Sequence, residues 1–293
     1  MAFASLQLAV RSTALCARHV SASRPTCRRT PTGPLRQAVG GLRSAGQRPE
    51  VASRAQQAGG SDGQVYSGVY GPWRVEESDV REVTAYRAGI SVATLALLAA
   101  SSTAFLPADT ELHDTLVALL DPLTLMGASG LGLSLVLIHI YVTPLKRFLQ
   151  LLWALGTGGS VAIMLTQDTP AAQYVLTHPI AVLAVGPLFA AVTGLAFKEG
   201  LCYGKFEAAA LFFVIPTLLL GHLTQLLPEA GERGLLAAFC LLAAVFASRK
   251  YTQPIKDDIG DKSVFEFQAL SEEEQARQMA VLQMREGMKG PEE

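Results

Sequence analysis

The sequence predicts an all-α fold, a polytopic transmembrane helical bundle of about six spans with both termini on one side of the membrane. Three observations carry this expectation. Half of the 293 residues are hydrophobic and only 17% are charged, whereas a soluble domain is nearer a quarter charged. Six apolar stretches approach the roughly 20 helical residues needed to cross a hydrocarbon core of about 30 Å. The basic residues that bound them gather at alternate ends, as positive-inside topology requires.

The first sixty residues differ from the rest. They hold Arg11, Arg18, Arg24, Arg28, Arg29, Arg36, Arg43, Arg48 and Arg54 against one acid, Glu50, with no Lys and a filler of Ala, Ser, Thr, Gly and Pro. An Arg-rich, Ser-containing, acid-poor leader is the composition of an organelle transit peptide, and residues 1–60 are read as one; a disordered basic arm is the rival reading. Composition alone leaves chloroplast and mitochondrion open. Residues 61–85 follow as a polar N-terminal segment. Its VYSGVYGPW run (Val65–Trp73) puts Tyr66, Tyr70 and Trp73 beside a Gly-Pro turn, the pattern of an aromatic anchor at a membrane interface. A partner-docking strand is the alternative.

The membrane domain occupies residues 86–250. Its spans are Tyr86–Phe105, Leu123–Val142, Phe148–Thr166, Pro179–Phe197, Ala208–Leu227 and Gly234–Ser248. The last is short and has to borrow flanking residues. Helices are favoured over a barrel because lipid offers no partners to free backbone groups, and the Gly and Pro content breaks a strand's alternation. Arg87, Lys146, Arg147, Lys198, Lys205, Arg249 and Lys250 flank one face. Asp109, Glu111, Asp114, Asp121, Asp168, Glu229 and Glu232 flank the other, with Arg233 the single base among them. The positive-inside rule puts the basic face, with both ends, in the stroma or matrix.

Two sets of residues are candidates for function. The first is the basic-side turn FKEGLCYGKFEA, which sets Lys198, Glu199, Cys202, Tyr203, Lys205 and Glu207 between two uncharged runs. As a plain turn, Lys198 complements a helix C-terminus, Glu207 a helix N-terminus, and Gly200 and Gly204 allow the reversal. As a site, Cys202 between Lys198 and Lys205 has cations that favour its thiolate, though no base or resolving cysteine accompanies it. The second set is Gly156, Gly158 and Gly159 of GTGGS with Pro187 and Pro216 inside spans four and five. Small residues let helices pack closely, as do Ala128, Gly130, Gly132 and Ser134 in span two. Mid-helix prolines and glycines also mark the cavities or hinges of transporters. Both readings stand.

The span centres lack Asp, Glu, Lys and Arg, which argues against a proton-driven pump. His139 and His222 fall towards opposite faces. His113, His178 and His222 share the acidic face, where they are polar loop groups or a pH-responsive cluster. No metal-ligand spacing, phosphate loop or nucleophile elbow occurs, so neither catalytic residues nor a cofactor or metal are expected, and the reading is not an enzyme. Basic residues interleaved with aromatics are missing after the leader, which excludes nucleic-acid binding. Membrane lipid is the expected partner. Residues 251–293 form a polar tail with one short helix, opened by the capping box Ser271 with Glu274 and bearing a weak apolar stripe of Ala276, Met279 and Ala280.

In VYSGVYGPW and in HPIAVLAVGPLFAAVTGLAFKEGLCYGKFEA (His178–Ala208) the chain resembles an integral membrane family of cyanobacteria and chloroplasts, the domain of unknown function 2301, over roughly Val65–Ile259. The resemblance implies a chloroplast membrane, thylakoid or inner envelope, and hence a stromal basic face. It brings no chemistry with it. Two functions are then expected to compete: a non-enzymatic accessory or assembly factor for chloroplast membrane protein complexes, and a small-solute or cation transporter.

Overall fold

A computed structural model describes residues 64–288; the leader at residues 1–60 lies outside the described residues. The described chain opens with a hairpin, β1 (Val65–Ser67) and β2 (Pro72–Arg74), paired antiparallel with Tyr66 opposite Trp73. Eleven α-helices follow among the described residues: α1 (Glu77–Ser102), α2 (Glu111–Ala118), α3 (Leu120–Leu137), α4 (Thr143–Thr166), α5 (Ala171–Thr177), α6 (Val182–Tyr203), α7 (Phe206–Thr224), α8 (Glu229–Arg249), α9 (Ile255–Ile259), α10 (Lys262–Ala269) and α11 (Glu272–Met288). A turn of 3-10 helix, Pro179–Ala181, leads into α6.

Among the described residues six helices are long and apolar enough to cross a membrane: α1, α3, α4, α6 with its 3-10 lead-in, α7 and α8. They pack in chain order around a ring, α1 on α3, α3 on α4, α4 on α6, α6 on α7 and α7 on α8, and the ring closes where α8 meets α1. Inward lie Ile90, Leu131, Leu135, Ala191, Leu195, Leu211, Ile215, Phe239 and Phe246. Leu95, Val136, Phe213, Leu220 and Leu241 are exposed and form the surface offered to lipid.

Lipid tails are as apolar as leucine, so close backbone approach has to hold such a ring together. Small residues supply it. A Cβ added at Gly89 of α1 would lie 2.5 Å from the Gly130 carbonyl oxygen of α3, and Ser134 donates from Oγ to the Tyr86 carbonyl at 3.0 Å. Gly156 and Gly159 do the same between α4 and α6. A Cβ on Gly156 would sit 2.1 Å from the Leu188 nitrogen, and one on Gly159 2.2 Å from the Ala184 oxygen.

Several boundaries differ from the sequence expectation. α1 begins well before Tyr86, because the Glu76 N–H donates to Asp79 at 2.9 Å and starts the helix in polar sequence. α3 stops at Leu137 rather than Val142. Pro144 has no N–H to donate to a helix continued from α3 and sits instead in the first turn of α4, while Gln150 donates to the freed Leu135 carbonyl at 3.1 Å. α8 gains the length that Gly234–Ser248 lacked by recruiting Glu229–Arg233. Its 21 residues reach roughly 30 Å at 1.5 Å each.

The aromatic anchor is also differently employed. Tyr70 stacks on Phe267 of α10 at 3.9 Å, Trp73 is buried, and Lys256 lies over the Tyr66 ring at 4.9 Å. These rings pack the hairpin onto the tail. The hairpin's turn is tied down by Asp261, which accepts from the Val69 N–H at 2.7 Å, and by Ser263, which accepts from the Tyr70 N–H at 3.1 Å. The tail forms three helices where one was expected. The Ser271–Glu274 capping box is present, with the Ser271 N–H donating to Glu274 at 3.0 Å.

Candidate functional site

The turn singled out in the sequence lies where α6 ends and α7 begins. Gly204 closes α6 in the left-handed region at φ 61°, which a glycine enters without a Cβ penalty, and its N–H donates to Gly200 at 3.0 Å. Just before it, Glu199 is 0% exposed. A carboxylate so buried demands counter-ions, and they arrive from far along the chain.

Lys250, immediately after α8 and itself 0% exposed, sets its Nζ 2.8 Å from Glu199 Oε1 and donates at 2.6 Å to Oδ1 of Asp258 in α9. The same ammonium lies 5.2 Å from the Tyr86 ring centre and 5.4 Å from that of Phe246, where cation–π attraction adds to the pairing. Asp258 receives Arg87 of α1 through Nε at 2.7 Å and Nη2 at 2.6 Å, and Gln253 through its amide at 2.7 Å. Arg87 also donates to the Gln253 and Pro254 carbonyls. Lys205 donates to Glu199 Oε2 at 2.9 Å and to the Gln253 side-chain carbonyl. Lys198 donates to the Asp258 backbone carbonyl at 3.1 Å.

Four cations and two carboxylates thus share one buried cluster. The surplus positive charge sits at the C-terminal ends of α6 and α8, where the helix dipoles are negative. Removing such charges from water costs several kcal/mol per ion, and only pairing of this completeness offsets it. The cluster joins four elements that are distant in sequence: the interior of α1 at Arg87, the α6–α7 turn, the end of α8, and α9. Chemically it is a latch that fastens the tail to the spans.

Burial alone pushes the Asp258 carboxyl up. The Lys250 ammonium and its hydrogen bond, then Arg87 and Gln253, outweigh burial and hold it below its ordinary value of 3.8. A carboxyl depressed in the folded state contributes stability that is complete above its unfolded value and is lost as the pH falls through the folded one. Thermal unfolding of the detergent-solubilised protein, followed downward from neutral pH, is expected to hold level and then drop below about pH 4. Asp258→Asn flattens that drop; an unchanged profile in the variant would assign the acid sensitivity elsewhere.

Of the turn residues marked in the sequence, Lys198, Glu199 and Lys205 belong to the latch, and Glu207 pairs with Arg249 at 3.1 Å. The side chains of Cys202 and Tyr203 lie outside the described residues. The sequence reading missed the roles of Arg87, Lys250, Gln253 and Asp258. The first two look like ordinary boundary charges and the others like polar tail. The signal was IKDDI, Ile255–Ile259, an acidic pair bracketed by isoleucines just after the last span.

The second candidate set is not brought to the latch. Gly156 and Gly159 face α6, Gly158 faces open space, and Pro187 and Pro216 lie inside α6 and α7. On the acidic side, Asp121 accepts from the Ala171 N–H at 2.8 Å and so starts α5. His222 bridges Glu232 of α8 at 3.1 Å and the Val175 carbonyl of α5 at 3.1 Å. Among the described residues no three His, Cys, Asp or Glu side chains are grouped to hold a metal ion.

No curated protein and no solved structure matches the chain. One family model does. Its match takes in Lys198, Glu199, Lys205, Lys250, Gln253 and Asp258 of the latch, but neither Arg87 nor the VYSGVYGPW segment. The chain is a multi-pass integral membrane protein, and from residue 133 to residue 267 it matches the uncharacterized integral membrane protein family called domain of unknown function 2301.

Proposed function

We infer that this protein is a non-enzymatic accessory factor of a chloroplast membrane, thylakoid or inner envelope, that assembles or stabilises larger membrane complexes. The observation that carries this reading is the polar cap. The hairpin, α9 and α10 are folded against one another and latched to the span ends through Glu199, Lys250 and Asp258. The cap presents α11 on its outside, with Val281 and Met284 exposed. A rigid platform on a bundle is what a docking protein needs, because little ordering entropy is then lost on binding. The Arg-rich leader and the family resemblance favour a chloroplast membrane, and the basic residues around the cap favour its stromal side.

The contacts of Gly156 and Gly159 with α6 support this reading over a carrier of small solutes or cations. A carrier requires a watered path beside Gly156–Ser160 and Pro187, where the backbone of α6 stands. In native gels of mildly solubilised chloroplast membranes the protein is expected to migrate with a larger complex, and affinity purification is expected to recover the same partners. Migration as a lone monomer, together with reaction of cysteines placed at Gly156 and Pro187 with a polar thiol reagent, would replace the accessory reading with the carrier.

A further inference from the structure

On the outer face of α8, at its basic end, Ala244, Val245, Ser248, Arg249 and Thr252 line an open groove of about 310 Å³. Polarity rises along it in one direction. Ala244 and Val245 lie at the end nearer the span's centre, and Ser248, Arg249 and Thr252 at the end where α8 leaves the apolar zone. A membrane lipid has the same order, hydrocarbon first and headgroup last.

Arg249 gives the groove its sign. Its guanidinium is half exposed and lies 3.1 Å from Glu207 at the start of α7. That contact is made through Nη1. Among the described residues no hydrogen bond engages Nε or Nη2, so that edge of the guanidinium is open. A planar fork of that kind matches a phosphate bidentately.

We propose that this groove binds one membrane lipid with an anionic headgroup, its acyl chain along Ala244 and Val245 and its phosphate on Arg249. The inference is independent of the accessory reading. It is tested with the whole mature chain reconstituted in vesicles of equal phosphatidylglycerol and phosphatidylcholine, extracted in mild detergent, with the retained lipid quantified by mass spectrometry. The wild type is expected to retain phosphatidylglycerol preferentially. Arg249→Gln lowers that preference about fivefold, the share of one interfacial cation, and Arg249→Lys keeps most of it. Val245→Trp fills the groove and abolishes the preference, while lipid on the rest of the ring is retained without distinction. Glu207→Gln frees the guanidinium further and preserves or raises the preference. Equal retention of the two lipids by the wild type, an unchanged ratio in Arg249→Gln or in Val245→Trp, or loss of the preference in Glu207→Gln would each overturn the assignment.

Discussion

Asp258→Ala is expected to lower the unfolding free energy by about 3–5 kcal/mol, the usual result of removing one partner from a buried ion pair. The truncation strips Arg87 of both its charged contacts, Lys250 of its 2.6 Å partner and Gln253 of its acceptor. Water does not reach the vacated position easily, because the side chains of Asp258, Lys250 and Glu199 are at most 1% exposed. Glu199 alone is left to face Lys198, Lys205 and Lys250. Equilibrium unfolding by SDS in mixed micelles measures the change. The double variant Glu199→Leu with Lys250→Met, which removes a base and an acid together, is expected to lose less than either single variant, because neither charge remains buried without the other. Losses that simply add would show that the residues do not act as a cluster.

Gly156→Leu has the second-largest expected effect, and its reason is space. The first carbon of any side chain there would stand 2.1 Å from the Leu188 backbone nitrogen, an atom that moves only if α6 moves. Overpacking of this sort costs typically 1–3 kcal/mol, occasionally more, and here it opens the α4–α6 seam. The control lies two residues away. A Cβ added at Gly158 would meet nothing within 4 Å, so Gly158→Ala gains helix propensity of up to about 1 kcal/mol without a clash. Unfolding in mixed micelles is expected to shift in opposite directions for the two variants. Equal losses would mean that α4 meets lipid on both faces and that the seam does not hold the ring.

Much of this arrangement is legible in the sequence because lipid imposes a length. Runs such as Phe148–Thr166 are long, apolar and bounded by charge, so their existence and number follow from composition alone. Short elements are not constrained in this way. α2 and α5 hold 8 and 7 residues, and what starts α5 is a carboxylate, Asp121, fifty positions earlier. Local pattern cannot announce a cap that distant. The latch is half legible for the same reason. Glu199 stands out between apolar runs, whereas Lys250 looks like any cation at a membrane boundary until Asp258 is seen beside it. The small-residue stripes Gly130–Ser134 and Gly156–Ser160 admit either packing or a cavity in sequence. The distances from Gly130, Gly156 and Gly159 to Gly89, Leu188 and Ala184 are those of closely approaching helix backbones.

The neighbouring positions of the first and last spans bear on how the protein is made. Arg87 precedes its counter-ion by 171 positions, so in whatever order the spans enter the membrane the ring is sealed only when α8 and α9 reach α1. Before that, α1 and α3 joined through Gly89 and Gly130 leave an unsealed flank and an uncompensated guanidinium at its rim. A copy cut short anywhere before Asp258 keeps that blemish for good, which distinguishes an unfinished polypeptide from a finished one without any test of activity.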